Sequence, residues 1–329
     1  MSCPMEALPF PYSGKNGEVN MADSITGILS LLILIGVGFC IAGKEWFGEK
    51  GRDVVSKFCV RLAIPCYMFC NVLSACESRE KLIEMCRALP APLANILICT
   101  GLALLLAKAG RVPRGRRGVF INAAAFSNTV IVGFPVIMAL LGEAAMPDAM
   151  VYYMANTVLF WSLGTWLLRR DAGIRERIQI RKFFSPAIIG LLAGIAAVLA
   201  GITLPPFIMS PVTYLKNTVT PLAMIFIGCV IRTNGRKDIR PSRELVWILI
   251  FRYLASPALM IAACSMIDLP VSMKQVFCIM TVMPAMTQLG IMSKESGSDY
   301  GFASVVITVT TALSMVLIPI YMELFRLLL

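Results

Sequence analysis

The sequence predicts an all-α polytopic membrane protein with ten transmembrane helices, built as two inverted five-helix repeats. Three observations predict it. First, 58% of the 329 residues are hydrophobic and only 15% are charged, whereas a soluble domain has about 25% charged residues. Second, the apolar excess (mean hydropathy +0.78) recurs along the whole chain in runs of about 20 residues, the length that spans a bilayer as a helix. Third, the fourth and ninth runs are both interrupted by helix breakers, at corresponding places in the two halves.

Residues 1–23 form a polar extension. Residues 1–20 hold one Lys and two Glu and no basic n-region, which argues against a secretory signal. Met21 directly precedes the first run, so Met1 and Met21 both stand as candidate starts, to be separated by N-terminal sequencing. The spans are expected at 24–43, 54–74, 90–107, 118–141 and 149–168, then at 186–203, 210–231, 244–267, 271–293 and 302–325. The first is unbroken up to Lys44. The second is the weakest, because Lys57 and Arg61 interrupt it. The third ends at Lys108 and the fourth opens after Arg116-Arg117. The fifth stops at Arg169-Arg170, and Pro186 opens the sixth. Pro205-Pro206 precedes the seventh, Arg243 the eighth and Pro270 the ninth, and Arg326 follows the tenth. The halves are therefore 24–168 and 186–329, joined by a basic linker at 169–185 that is too short to be a domain.

Loop charge sets the expected orientation. Loops after odd-numbered spans hold 20 Lys and Arg, and the opposite side holds six. Such a bias puts the first set in the cytoplasm and both termini outside. Trp46, Trp166 and Trp247 fall near the cytoplasmic ends, as an aromatic belt would require. The duplication leaves weak traces. Pro65 to Phe69 resembles Pro221 to Phe226, and Val119-Phe120 with Gly133 resembles Val276-Phe277 with Gly290, at nearly equal separations.

The net charge of +11 does not imply nucleic acid, because the basic residues sit in short loops between apolar runs. The eleven cysteines contain no CxxC pair and there is no histidine, so neither a metal site nor a cofactor is expected. The cysteines read as small packing residues.

The fourth run carries Phe126-Ser127-Asn128-Thr129-Val130-Ile131-Val132-Gly133-Phe134-Pro135. Pro135 cannot donate to the preceding turn, Gly133 relieves the sterics of a break, and a half-helix starting at Pro135 would point its positive end at the gap. Pro284, Thr287, Gln288 and Gly290 take the same part in the ninth run. Free amides and half-helix dipoles meeting where two such breaks cross suit a carboxylate. A lone proline usually only kinks a membrane helix, and a lone asparagine often bonds a neighbouring helix. Paired breaks in equivalent spans favour a transport site.

Asn128 to Pro135, ending in Leu141-Gly142-Glu143, resembles the fourth-helix signature of the auxin efflux carrier family of membrane transporters. Met283-Pro284-Ala285 followed by Ser293-Lys294-Glu295-Ser296-Gly297 is similar to its ninth-helix segment. Ser185-Pro186, Leu204-Pro205 and Pro221 to Gly228 also look like that family, so the resemblance runs from residue 24 to the end. It implies an inverted repeat with a scaffold part and a transport part, an elevator-like movement, and a broken-helix crossing where Asn128 contacts the substrate carboxylate. It also implies a homodimer. The short central loop resembles that of bacterial members, which are associated with malate, malonate and similar acids rather than auxin. Where plant carriers have a second proline in the ninth helix this chain has Leu289, so the break there must rest on Pro284 and Gly290.

Arg61 and Arg252 lie roughly 10–12 Å inside their spans at 1.5 Å per residue. Each either snorkels to the interface or lines the inward cavity as a charge for an anion. No acidic residue falls at a span centre, which argues against carboxylate-based proton coupling. Sodium held by unwound carbonyls stays open as the coupling ion. The expected function is secondary transport of small organic anions (malate-, malonate- or auxin-like carboxylates) across the cell membrane. The alternatives are a bile-acid/sodium symporter-like carrier of the same fold, an intramembrane enzyme and a receptor. An enzyme is disfavoured by the lack of His, of a mid-membrane aspartate pair and of an Asp-rich motif.

Overall fold

The computed structural model describes residues 21–75, 85, 87–174, 186–202, 204–234 and 242–328. The N-terminal extension up to residue 20, the linker residues 175–185 and loop residues 76–84 and 235–241 lie outside the described set. Every regular element among the described residues is helical, apart from one isolated antiparallel bridge between Ser127 and Ala285.

Helix α1 is Met21–Ile41. Helix α2 runs over 48–75, as Gly48–Phe58 and Ile64–Ala75 joined by a π turn at Cys59–Ala63. It starts earlier than the apolar run because Asp53 and Lys57 sit exposed on its first turns, 2.6 Å apart. Helix α3 is Pro90–Ala109. Helix α4 comes in two halves, α4a (Arg117–Ala125) and α4b (129–141). Helix α5 covers 146–171 with a π turn at Phe160–Gly164, and α6 is Pro186–Leu199. Helix α7 is Pro206–Asn217 and Val219–Asn234, with one turn residue between them. Helix α8 runs over 243–265 through a π turn at Phe251–Ala255. Helix α9 is again split, into α9a (Val271–Thr281) and α9b (Gln288–Glu295). The chain closes with α10, Tyr300–Leu328.

Helix thus occupies most of each range the apolar runs marked, with interruptions inside 118–141 and 271–293. Among the described residues, four helices are long and apolar enough to cross a membrane: Pro90–Ala109, Pro206–Thr233, Arg243–Ser265 and Tyr300–Leu328. Leu29–Ile41, Thr129–Leu141 and Pro186–Leu199 are shorter apolar helices. Helices α4 and α9 fall short because each is interrupted.

The helices pack as two bundles. In one, α1 lies on α7, and α2 lies on α6 and the first part of α7. In the other, α3, α4a, α5, α8, α9 and α10 surround the breaks. Lipid tails supply no hydrophobic force between helices, so close packing has to come from small residues. The first bundle shows this directly. A Cβ on Gly228 would fall 2.0 Å from the Ile35 carbonyl oxygen, one on Gly38 2.1 Å from that of Ile225, and one on Gly190 2.2 Å from that of Pro65. Backbone touches backbone at these three places.

The second bundle is tied together at the end that carries the basic loops. Arg116 bonds Asp299 at 2.8 Å and stacks on Phe302, and the Gly118 amide donates to Asp171 at 2.9 Å. At the opposite end Lys216 of α7, nearly buried, meets Glu143 beyond α4b at 2.9 Å, linking one bundle to the other.

Candidate functional site

The first break is a side chain's doing as much as a proline's. Helix α4a makes its last bond from the Phe126 amide to the Asn122 carbonyl at 3.0 Å. Phe126 is then extended, with φ −103° and ψ 132°. The Ser127 amide, which would otherwise continue the helix, donates to Asn156 Oδ1 of α5, and Asn156 Nδ2 returns a bond to the Ser127 carbonyl, both at 3.0 Å. Asn156 imitates a neighbouring strand. Asn128 then caps a π turn at Thr129–Gly133, its Oδ1 accepting from the Ile131 amide at 3.3 Å. The opening therefore lies at 126–128, upstream of Pro135. Pro135 sits in the first turn of the α-helical part of α4b, where a missing N–H is well tolerated. The half-helix expected to start at Pro135 starts at Thr129.

The second break covers 282–287, with Pro284 in its extended middle. The Ala285 amide donates to Thr310 Oγ1 of α10 at 3.1 Å, so Thr310 supports this break as Asn156 supports the first. Leu289 is helical and buried in α9b; the break stands on Pro284 without a second proline. The two extended segments cross and pair. Ser127 and Ala285 form the antiparallel bridge, the Asn128 amide donates to the Pro284 carbonyl at 2.8 Å, and Asn128 Nδ2 donates to Thr287 Oγ1 at 2.7 Å.

Arg252 holds this crossing from behind. Its residue is 1% exposed. Nε donates to the Met283 carbonyl (2.6 Å), Nη1 to the Ala123 carbonyl (2.6 Å), and Nη2 to Ser127 Oγ (2.8 Å) and the Pro284 carbonyl (2.9 Å). A longer contact joins Nη1 to the Ala124 carbonyl at 3.5 Å. Neither reading made from sequence describes it: Arg252 neither snorkels nor lines the cavity. An interior desolvates a charge so strongly that only a full set of hydrogen bonds makes it tolerable. Arg61 is exposed on α2 and does not reach the crossing.

In front of the crossing lies a cavity of about 50 Å³. Val60 and Ile64 of α2 and Pro186 and Ala187 of α6 wall it from one bundle, and Asn128, Thr129, Thr157 and Gln288 face it from the other. It therefore sits between the bundles, near the start of α6. Thr129 is 1% exposed and Thr157 3% exposed, and the hydroxyl of each has no hydrogen-bond partner. A buried, unsatisfied hydroxyl costs about 1–3 kcal/mol, so two of them on one small cavity are donors available to a hydrogen-bonding guest. Two O–H donors, apolar walls and the second hydrogen of the Asn128 amide match the acceptor oxygens of a small carboxylate.

The structure thus brings Asn128, Thr129, Pro284, Thr287 and Gln288 together. Gly133 instead seats α4b against α9a, since a Cβ there would be 2.8 Å from Met280 Sδ. Gly290 is buried facing Ile307 of α10, and Pro135 is buried within α4b. Asn156, Thr157 and Thr310 escaped the sequence reading. A signal existed for the first two, because Asn156-Thr157 repeats the Asn128-Thr129 dipeptide inside another apolar run.

Residues 23–322 match a family profile described as membrane transport protein. An uncharacterized transporter of Methanothermobacter thermautotrophicus is 25% identical over 298 residues, covering 89% of this chain and 96% of the relative. The uncharacterized transporter MJ1031 of Methanocaldococcus jannaschii is 23% identical over 306 residues, again covering 89% and 96%.

Proposed function

Because the chain belongs to the membrane transport protein family, that of the auxin efflux carriers, we propose that it is a secondary transporter of small organic anions that binds its substrate beside the crossing of α4 and α9. The observation that carries this reading is the pair of unpartnered hydroxyls, Thr129 and Thr157, on one cavity with the Asn128 amide. So small a cavity favours a short acid such as malonate or malate over an indole acid. The cavity's position between the bundle holding the breaks and the one holding α1, α2, α6 and α7 supports an elevator-like movement of the first against the second.

The inverted repeat belongs to this reading and has two supports. The glycine-mediated contact of α1 with α7 has its counterpart in that of α6 with α2, as an exchange of halves requires. Asn156 on α5 and Thr310 on α10 likewise serve equivalent breaks. Ten spans with both termini outside and a homodimer in the cell membrane complete the proposal. Its orientation is open to direct test. With all eleven native cysteines replaced by serine or alanine, a cysteine introduced at exposed Glu143 should react with an impermeant thiol reagent on intact cells, and one at Gly173 only after permeabilisation. The reverse pattern would invert the topology.

The site itself is tested by Thr129→Val and Thr157→Val. Each keeps the branched shape and removes a buried hydroxyl that nothing in the protein satisfies, so thermal stability should hold or rise. Malonate binding, read as a thermal shift of the purified protein and as uptake into proteoliposomes, should weaken by roughly 10- to 150-fold per hydroxyl, the value of about 1.5–3 kcal/mol for a hydrogen bond to a charged group. Unchanged malonate uptake in the double variant would remove the cavity from the transport path.

A further inference from the structure

Breaking two helices at one crossing releases carbonyls, and carriers with unwound helices use such carbonyls to hold a coupling cation. In this chain their whereabouts can be followed one at a time. The Ala123 carbonyl would receive the Ser127 amide in a continuous helix, but that amide goes to Asn156. The Ala124 carbonyl would receive the Asn128 amide, which goes to Pro284. Met283 and Pro284 present their carbonyls from the extended part of α9. All four are taken by one guanidinium, that of Arg252, together with Ser127 Oγ. Four carbonyl oxygens and a hydroxyl are hard oxygen ligands of the kind that suit a small metal cation.

The charge is as informative as the contacts. Arginine keeps its proton in any protein setting, and Arg252 is buried with no carboxylate paired to it among the described residues. The crossing thus contains one positive charge that no acid neutralises, one residue away from Asn128 through the Ser127 contact. An anion bound in front of Asn128 would meet that charge through a low-dielectric interior, where it counts for much more than in water.

We propose that Arg252 is a tethered cation that fills the carbonyl cage between the two breaks, so that substrate binding at the crossing needs no sodium. The link to substrate rests on the anion-site reading above; the filled cage rests on the geometry of Arg252 alone. The physical advantage is that the positive charge is always in place and carries no concentration dependence. The same geometry makes the cage latent: shortening the side chain should expose oxygens able to take a cation from solution.

The test uses purified full-length protein in detergent, with thermal unfolding measured in sodium chloride and in choline chloride at equal ionic strength. The unaltered protein should unfold within about 1 °C in the two salts, because a cage already occupied gives sodium nothing to bind. Arg252→Ala leaves the carbonyls and Ser127 without their donor and should lower the unfolding temperature in choline by roughly 5–10 °C. Sodium or millimolar methylguanidinium should restore part of that loss, and urea at the same concentration should not. Arg252→Lys, which keeps the charge with fewer donors, should fall between the two and remain indifferent to sodium. A saturable stabilisation of the unaltered protein by sodium over choline would overturn the proposal. So would an Arg252→Ala protein that neither sodium nor methylguanidinium stabilises. If Arg252→Ala does not fold, the unaltered and Arg252→Lys proteins decide the matter. Malonate added in each salt separates the two readings. An equal shift in both supports sodium-free binding, and a shift only in sodium overturns it. A shift in neither counts against the anion site, and the salt comparison then decides for or against the filled cage by itself.

Discussion

Asn128→Asp is expected to abolish anion binding while the crossing stays folded. Asn128 does three things at once. Its amide N–H bonds the Pro284 carbonyl, its Oδ1 caps the Ile131 amide, and its Nδ2 bonds Thr287 while facing the cavity. Aspartate keeps the first two, and the Thr287 hydroxyl can turn to donate to it. What is lost is the donor toward the substrate, and what is gained is a negative charge where the carboxylate would sit. A hydrogen bond to a charged group is worth about 1.5–3 kcal/mol, or about 10- to 150-fold in affinity. Like-charge repulsion at short range adds to that. Malonate binding should therefore fall at least about 100-fold, with a monodisperse elution profile retained. Asn128→Ala should weaken binding by the smaller factor of about 10- to 150-fold, but it also removes two bonds that hold the break, so its unfolding temperature should fall as well. Full malonate affinity in the Asn128→Asp protein would mean that the crossing is only a structural joint.

Gly228→Leu is expected to prevent folding outright. Its Cβ would lie 2.0 Å from the Ile35 carbonyl oxygen and 2.6 Å from the Phe39 nitrogen, both backbone atoms of α1. A flexible side chain could move aside, as Met280 can for Gly133, but a helix backbone can move only as a unit. Overpacking of an ordinary core costs about 1–3 kcal/mol, and separating two helices along their whole contact must cost more, against a total stability of about 5–15 kcal/mol. Size-exclusion chromatography should show aggregate or no protein. Gly36→Leu is the control on the same helix α1: a Cβ there meets nothing within 4 Å, and the variant should behave like the unaltered protein. A monodisperse Gly228→Leu protein of normal stability would refute the close contact of α1 with α7.

Residues that pay a cost in a bilayer were the legible ones. Asn128, Thr129 and Thr287 stand out because polar groups in an apolar run must be satisfied or functional, and the structure does gather them at the crossing. Pro135 was the loudest local signal and proved misleading in detail, since the chain opens at 126–128 where Asn156 and the α9 break offer other partners to its amides. Arg252 was visible as a charge, yet its partners are backbone carbonyls, and every residue type has those.

The amino-acid order alone determined the class of the protein and which two apolar runs are interrupted, because burial in lipid punishes unpaired polar groups wherever they fall along the chain. Tertiary structure alone decided what the breaks do. The pairing of Ser127 with Ala285, the capture of four carbonyls by Arg252 and the two unpartnered hydroxyls on one cavity join residues that are far apart in sequence. Hydrogen bonds act over about 3 Å, and only the packed fold brings those groups that close.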